Sequence, residues 1–175
     1  MKKLVLSAIV ATTLFACGGK TEKTETATAT AAFPANASGY NLDSTANTET
    51  LKKINDLAWG GDLKTARTSY VDSAMVYDNG KKITIDENMS MVTLFASKGI
   101  KSHTDSYDAI WESVNNKVDE IGVQNYVFAY EHVSFSKGDK KITVILFQAL
   151  AFNKEGKVVK EWDVYDTSAL AELLK

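Results

Sequence analysis

Ile142-Thr-Val-Ile-Leu-Phe-Gln-Ala-Leu-Ala-Phe152 is rich in β-branched and aromatic residues and apolar almost throughout. A short run of that kind, closed by a turn at each end, predicts a central strand covered on both faces. Ser136-Lys-Gly-Asp139 supplies the turn before it and Asn153-Lys-Glu-Gly156 the turn after it. The first joins it to Gln124–Phe135, which alternates, and the second to Lys157–Asp166. The result is a three-stranded antiparallel meander. Residues facing each other across such turns share a face. Tyr126, Phe128, Tyr130 and His132 then lie with Ile145, Phe147, Ala149, Val158, Trp162 and Val164. Glu131, Leu146, Gln148, Leu150, Glu161, Asp163 and Tyr165 take the other face. A slip of one residue in register would exchange the two sets. Gln148, polar within an apolar strand, must find a hydrogen-bond partner wherever it points.

Upstream, Ser106–Val114 reads as a polar edge strand, and the segments before it are mostly helical. Leu51, Ile54, Leu57 and Ala58 recur at helical spacing after a Thr48 cap, and Gly60-Gly61 ends that helix. Asp62 caps a short second helix running to Ser69, and Tyr70–Asp78 is a strand closed by Asn79-Gly80. Thr84-Ile-Asp-Glu87 has the form of a capping box. It opens a third helix with the stripe Ile85, Met89, Val92 and Phe95, ended by Gly99. Thr167–Leu174 is a short terminal helix, with Asp166 placed to cap it.

Before residue 48 the chain changes character. Residues 1–16, with Lys2-Lys3 before the apolar run Leu4–Ala16, have the form of a secretory signal. That run is too short to span a bilayer, which needs about 20 apolar residues. Leu14-Phe15-Ala16-Cys17 matches a bacterial lipobox, and Cys17 is the chain's one cysteine. Lipidation of Cys17 accounts for a lone cysteine in an exported protein. Residues 17–47, rich in Thr, Ala, Ser and Glu, cannot bury enough apolar surface to fold. They read as a flexible tether reaching roughly 30 Å, interrupted at Tyr40-Asn-Leu42. The expected location is the bacterial cell envelope, on a lipid anchor in the outer membrane, with the globular domain at residues 48–175.

Twenty Lys and Arg against 22 Asp and Glu, interspersed, leave no basic patch for nucleic acid and no basic face for lipid headgroups. Two distant histidines and no paired-carboxylate pattern imply neither a metal site nor a cofactor. Phosphate loops, dinucleotide fingerprints and nucleophile motifs are absent.

The element order and two motifs resemble the nuclear transport factor 2-like superfamily, which includes ketosteroid isomerase and SnoaL-like polyketide cyclases. The opening motif is Trp59-Gly-Gly-Asp62 through Tyr70-Val-Asp72 to Tyr77-Asp78; the closing one is Phe152-Asn-Lys-Glu-Gly156 through Trp162-Asp-Val-Tyr165-Asp166. The resemblance implies an α+β fold: a cone-shaped, curved antiparallel sheet packed on N-terminal helices, a cystatin-like roll. It also implies a pocket of about 300–1,000 Å³ for a small apolar or aromatic ligand, lined by Trp59, Tyr77, Tyr126, Phe128, Tyr130, Phe147 and Trp162. A homodimer through the sheet is a further implication. If the protein is an enzyme, an isomerase or cyclase would use Asp78 or Asp166 as base, with His132 or Tyr130 assisting. Against this, Asp78 precedes a turn that favours aspartate for backbone reasons, and the family's proline after it is missing. A non-catalytic envelope adaptor is the third possibility.

Overall fold

The computed structural model describes residues 40–174. Cys17, the signal segment and the tether as far as residue 39 lie outside the described residues. The fold begins earlier than the composition suggests. Tyr40–Leu42 (β1) pairs antiparallel with the end of β4 (Lys101–Val114), Tyr40 opposite Val114. Three residues assigned to the tether therefore extend the sheet.

Helix α1 (Ala46–Trp59) is capped by Thr45, with Thr48 at the third helical position returning the bond to the Thr45 amide at 2.8 Å. Thr48 thus completes a capping box rather than serving as the cap itself. Helix α2 (Leu63–Arg67) follows, with Asp62 accepting from the Thr65 amide at 3.1 Å. Strand β2 (Tyr70–Asp78) turns through Asn79 and Gly80, both at positive φ, into β3 (Lys81–Thr84). Positive φ at both central residues is what Asn-Gly supplies in a two-residue hairpin. β3 was not legible in the sequence: it has four residues, and only Ile83 is buried. Helix α3 (Ile85–Ser97) starts on the Thr84–Glu87 capping box.

The long strands β4, β5 (Asn125–Lys137) and β6 (Lys140–Phe152), with β7 (Val158–Val164) and helix α4 (Thr167–Leu174), complete the chain. The sheet has seven strands in the order β1-β4-β5-β6-β7-β2-β3. It is mixed, not purely antiparallel as expected, because β2 and β7 run parallel. β7 lies between β6 and β2, a strand laid down before α3, a relationship that neither hairpin pattern reveals. Register shifts at Thr104–Ser106 and Tyr107–Ala109 insert extra residues into β4, and such bulges bend a strand.

The hairpin registers pair Tyr130 with Phe147, Gln148 with Asp163 and Ala149 with Trp162. They divide the meander into the two faces deduced from its turns, except that a register shift at Ala151–Phe152 sets Val158 opposite Phe152 and buries it on the helix-covered face, not beside Trp162 as expected. The helices cover the face carrying Val127, Ala129, Glu131, Val133, Leu146, Gln148 and Leu150, all buried. Two apolar clusters lie between the layers. One joins Leu51 and Ile54 of α1 to Val76, Ile85, Val127 and Leu150; the other joins Val133, Phe135 and Leu146 to Leu170 and Leu173 of α4. In α3 only Ile85 is buried, while Met89, Met91 and Phe95 are half-buried. Its apolar stripe faces the gap between the two clusters.

Candidate functional site

That gap is a cavity of about 80 Å³ whose walls include Ile54, Trp59, Met89, Val92, Phe95, Phe135, Leu146 and Leu170. It is smaller than the expected pocket because methionine and phenylalanine side chains of α3 and Leu170 of α4 project into it. Its floor is polar. Gln148 of β6 and Glu161 and Asp163 of β7 line it, and Glu131 of β5 lies beside them on the helix-covered face without lining the cavity, each under 8% exposed. Asn55 of α1 reaches down to meet them. Its Nδ2 donates to Glu131 Oε1 at 2.9 Å and Gln148 Oε1 at 3.2 Å. Gln148 Nε2 in turn donates to Glu161 Oε1 at 3.0 Å, and the Tyr70 hydroxyl donates to Glu161 Oε2 at 2.5 Å. On the opposite side the Trp59 indole donates to Thr104 at 3.1 Å, and Thr104 donates to Glu131 Oε2 at 2.8 Å.

Burial sets the electrostatics of this floor. It raises the Glu131 carboxyl to about 7, although hydrogen bonds from Thr104 and Asn55 pull the other way. Burial, then the charge of Glu161, pushes Asp163 well above the ordinary carboxylate range. Glu161 is raised by burial too. Two carboxyls at i and i+2 of one strand share a face, and in a low-dielectric site the charge of one disfavours ionisation of the other. Asp163 Oδ1 has no hydrogen-bond partner among the described residues. Asp78 ends β2 directly opposite Asp163. Burial and then the Asp78 charge raise the Tyr165 hydroxyl far above its usual range.

The residues singled out in the sequence separate sharply here. Asp78 and Trp59 line the cavity. Tyr77, Tyr126, Phe128, Tyr130, Phe147 and Trp162, expected to line it, instead occupy the outer face of the sheet, away from the helices. There they form a stacked array with Trp111: Trp111–Phe128 centroids are 5.3 Å apart, Tyr130–Phe147 4.9 Å and Tyr77–Trp162 5.9 Å. Alternation placed these rings together correctly but cannot say which face turns inward. His132 stands on this outer face too, 2.9 Å from Asp108 Oδ2. Asp166 is exposed and accepts from the Ser168 amide at 2.8 Å. Hydrogen bonding from the Ser168 hydroxyl, and then from this amide, holds its carboxyl below the usual range. Neither residue lines the cavity.

Glu131 and Glu161 were grouped on one face by the sequence but not recognised as a site. The available signal was acidic side chains on the same face as Gln148 and Leu150 in the middle of the sheet. A buried carboxylate is costly unless compensated, so such a face advertises a polar network.

These elements define a curved sheet wrapped on helices around a hollow, the nuclear transport factor 2-like fold. IdmH, a proposed polyketide cyclase from Streptomyces antibioticus, is similar with a TM-score of 0.55, covering 74% of this chain and 99% of that one at 10% identity. An LEH-like epoxide hydrolase from M. tuberculosis is similar at TM-score 0.53, 73% and 88% coverage and 11% identity. PrhC from Penicillium brasilianum is similar at 0.53, with 73% and 87% coverage and 12% identity. No protein-family model matches the sequence, and no curated protein matches it. Likeness at these identities establishes a common fold.

Proposed function

We propose that this chain is a lipid-anchored protein of the bacterial cell envelope whose SnoaL-like domain binds a small, mostly apolar molecule, with no reaction assigned. The observation that carries this reading is the cavity beneath α3, apolar in its walls and acidic in its floor. A core built only for stability would fill such a gap, since interiors pack to crystal-like density, and would leave no carboxylate oxygen buried without a partner. The anchor rests on the sequence Leu14-Phe15-Ala16-Cys17, and the outer membrane is its proposed home.

A second copy of the chain is the proposed partner of the outer face. Ile145, Val164 and Tyr130 there are 55%, 54% and 43% exposed, and contiguous exposed apolar surface marks an interaction site. The isomerase alternative receives less support. It needs donors aimed at a developing oxyanion, whereas Asn55, Gln148, Tyr70 and Trp59 spend their donors within the floor.

Native mass spectrometry of the full chain, extracted in detergent from its host, tests the reading. The expected spectrum shows a lipid-modified Cys17 and one retained small organic molecule per chain. A chain that carries no small molecule and gains none from ring-sized organic compounds refutes the ligand reading. An unmodified Cys17 refutes the anchor.

A further inference from the structure

The polar groups at the cavity floor leave acceptors open and close off donors. Asn55 Nδ2 is committed to Glu131 and Gln148, Gln148 Nε2 and the Tyr70 hydroxyl to Glu161, and the Trp59 indole to Thr104. The Tyr165 hydroxyl is turned to Asp78. Among the described residues Asn88, half-buried on α3, is the one side-chain amide at the cavity without such a commitment. What stays open is Asp163 Oδ1, an unpartnered carboxylate oxygen on a side chain more than nine-tenths buried, in a residue that lines the cavity. Among the described residues no lysine, arginine or histidine lines this cavity, although Asp78, Glu161 and Asp163 all do. Arg67, a basic residue of nearby α2, instead faces Asp86 at 2.8 Å and Asp72 at 3.6 Å.

We propose that the cavity takes a small organic cation, an ammonium group on a compact apolar body, with Asp163 Oδ1 receiving the ammonium. The proposal rests on the ligand reading above and names the chemical class of that ligand. Three features separate this class from its rivals. An anion would meet acidic side chains with no cation to balance them. A neutral alcohol or ketone would satisfy Asp163 less well, because only a cation draws its carboxyl, raised by burial and by Glu161, back toward the ionised form, and a charged donor then makes the stronger bond. Among the described residues no three His, Cys, Asp or Glu side chains converge to hold a metal ion. The walls suit its body. Trp59, Phe95 and Phe135 stand edge-to-face, with centroids 5.8 and 6.0 Å apart, and Leu146 and Leu170 add aliphatic surface.

Isothermal calorimetry on the full chain in detergent tests this with three probes of one shape: cyclohexylamine, cyclohexanol and cyclohexanecarboxylate. The amine should bind at least about tenfold tighter than the alcohol, the usual margin for a charged over a neutral hydrogen bond to a buried acceptor, and the carboxylate should give no heat. Asp163→Asn should weaken the amine by about the same factor and leave the alcohol within about twofold. The ratio measured on the unaltered protein decides the matter even if the variant does not fold. Glu161→Gln is a second variant on the same pair. Alcohol or carboxylate binding as tightly as the amine overturns the cation proposal and leaves the ligand reading standing. No binding of any probe overturns both, and an amine affinity untouched by either substitution overturns the cation proposal alone.

Discussion

Replacing Glu131 by glutamine should flatten the fall in stability that the protein undergoes as pH rises from about 5 to 8. Glu131 is fully buried, and its carboxyl is raised from the ordinary 4.5 to about 7. Between those values the folded chain keeps a proton that the unfolded chain has already released. The folded state therefore binds more protons, and stability is lost as pH rises through that window. At about 1.36 kcal/mol per tenfold change in proton affinity, the loss is about 3 kcal/mol in all, of which about 2.5 kcal/mol falls between about pH 5 and 8. Asp163 and Glu161 are raised as well, so they add to the slope with the same sign. Glutamine keeps the shape, and its carbonyl can still accept from Asn55, while Thr104 must reorient its hydroxyl. Urea denaturation at a series of pH values gives the comparison. The unaltered chain should lose stability steadily over that range, and Glu131→Gln should lose about 2.5 kcal/mol less. A wild-type stability that is level or rising over that range, or an unchanged slope in the variant, would refute the burial argument on which the acidic floor depends.

Three further outcomes follow from particular contacts. Thr84→Ala removes the α3 cap, in which Thr84 Oγ1 accepts from the Glu87 amide at 3.2 Å; thermal or urea unfolding should show a loss of about 1 kcal/mol, and no loss would mean the cap is redundant. Tyr130→Glu places a charge amid the outer rings of a residue 43% exposed; sedimentation should show the dimer replaced by monomer with the fold intact, whereas a wild-type chain already monomeric would remove the proposed interface. Cys17→Ser should move the protein from the membrane fraction to the soluble fraction on fractionation of the host, and persistence in membranes would contradict the lipid anchor.

Much of the frame was legible because it depends on local chemistry. Asn79-Gly80 dictates its hairpin, the Thr84–Glu87 box starts α3, and the two turns flanking β6 fix which residues of the meander share a face. Other features depend on distant partners and leave no local trace. Tyr40–Leu42 becomes a strand only because Glu112–Val114 offers an open edge, and β7 is parallel to β2 only through the return of the chain across the sheet. The site was half legible. Gln148 announced a polar network, and Glu131, Glu161 and Asp163 were placed beside it. The aromatic face nevertheless drew the expectation of a pocket, since rings are well suited to line one. Which face is concave depends on bulges in β4 and on where the helices dock. Alternation carries no information about either.

The central claim is that the hollow lies on the acidic, helix-covered face and not among the outer rings. Pressurising a crystal of the protein with xenon, an apolar probe that enters empty protein cavities, tests it most directly. A xenon peak is expected between Phe95, Phe135, Leu146 and Leu170, above the Asp163 carboxyl. A peak confined to the outer Phe128–Phe147 face, or no internal peak at all, would contradict it.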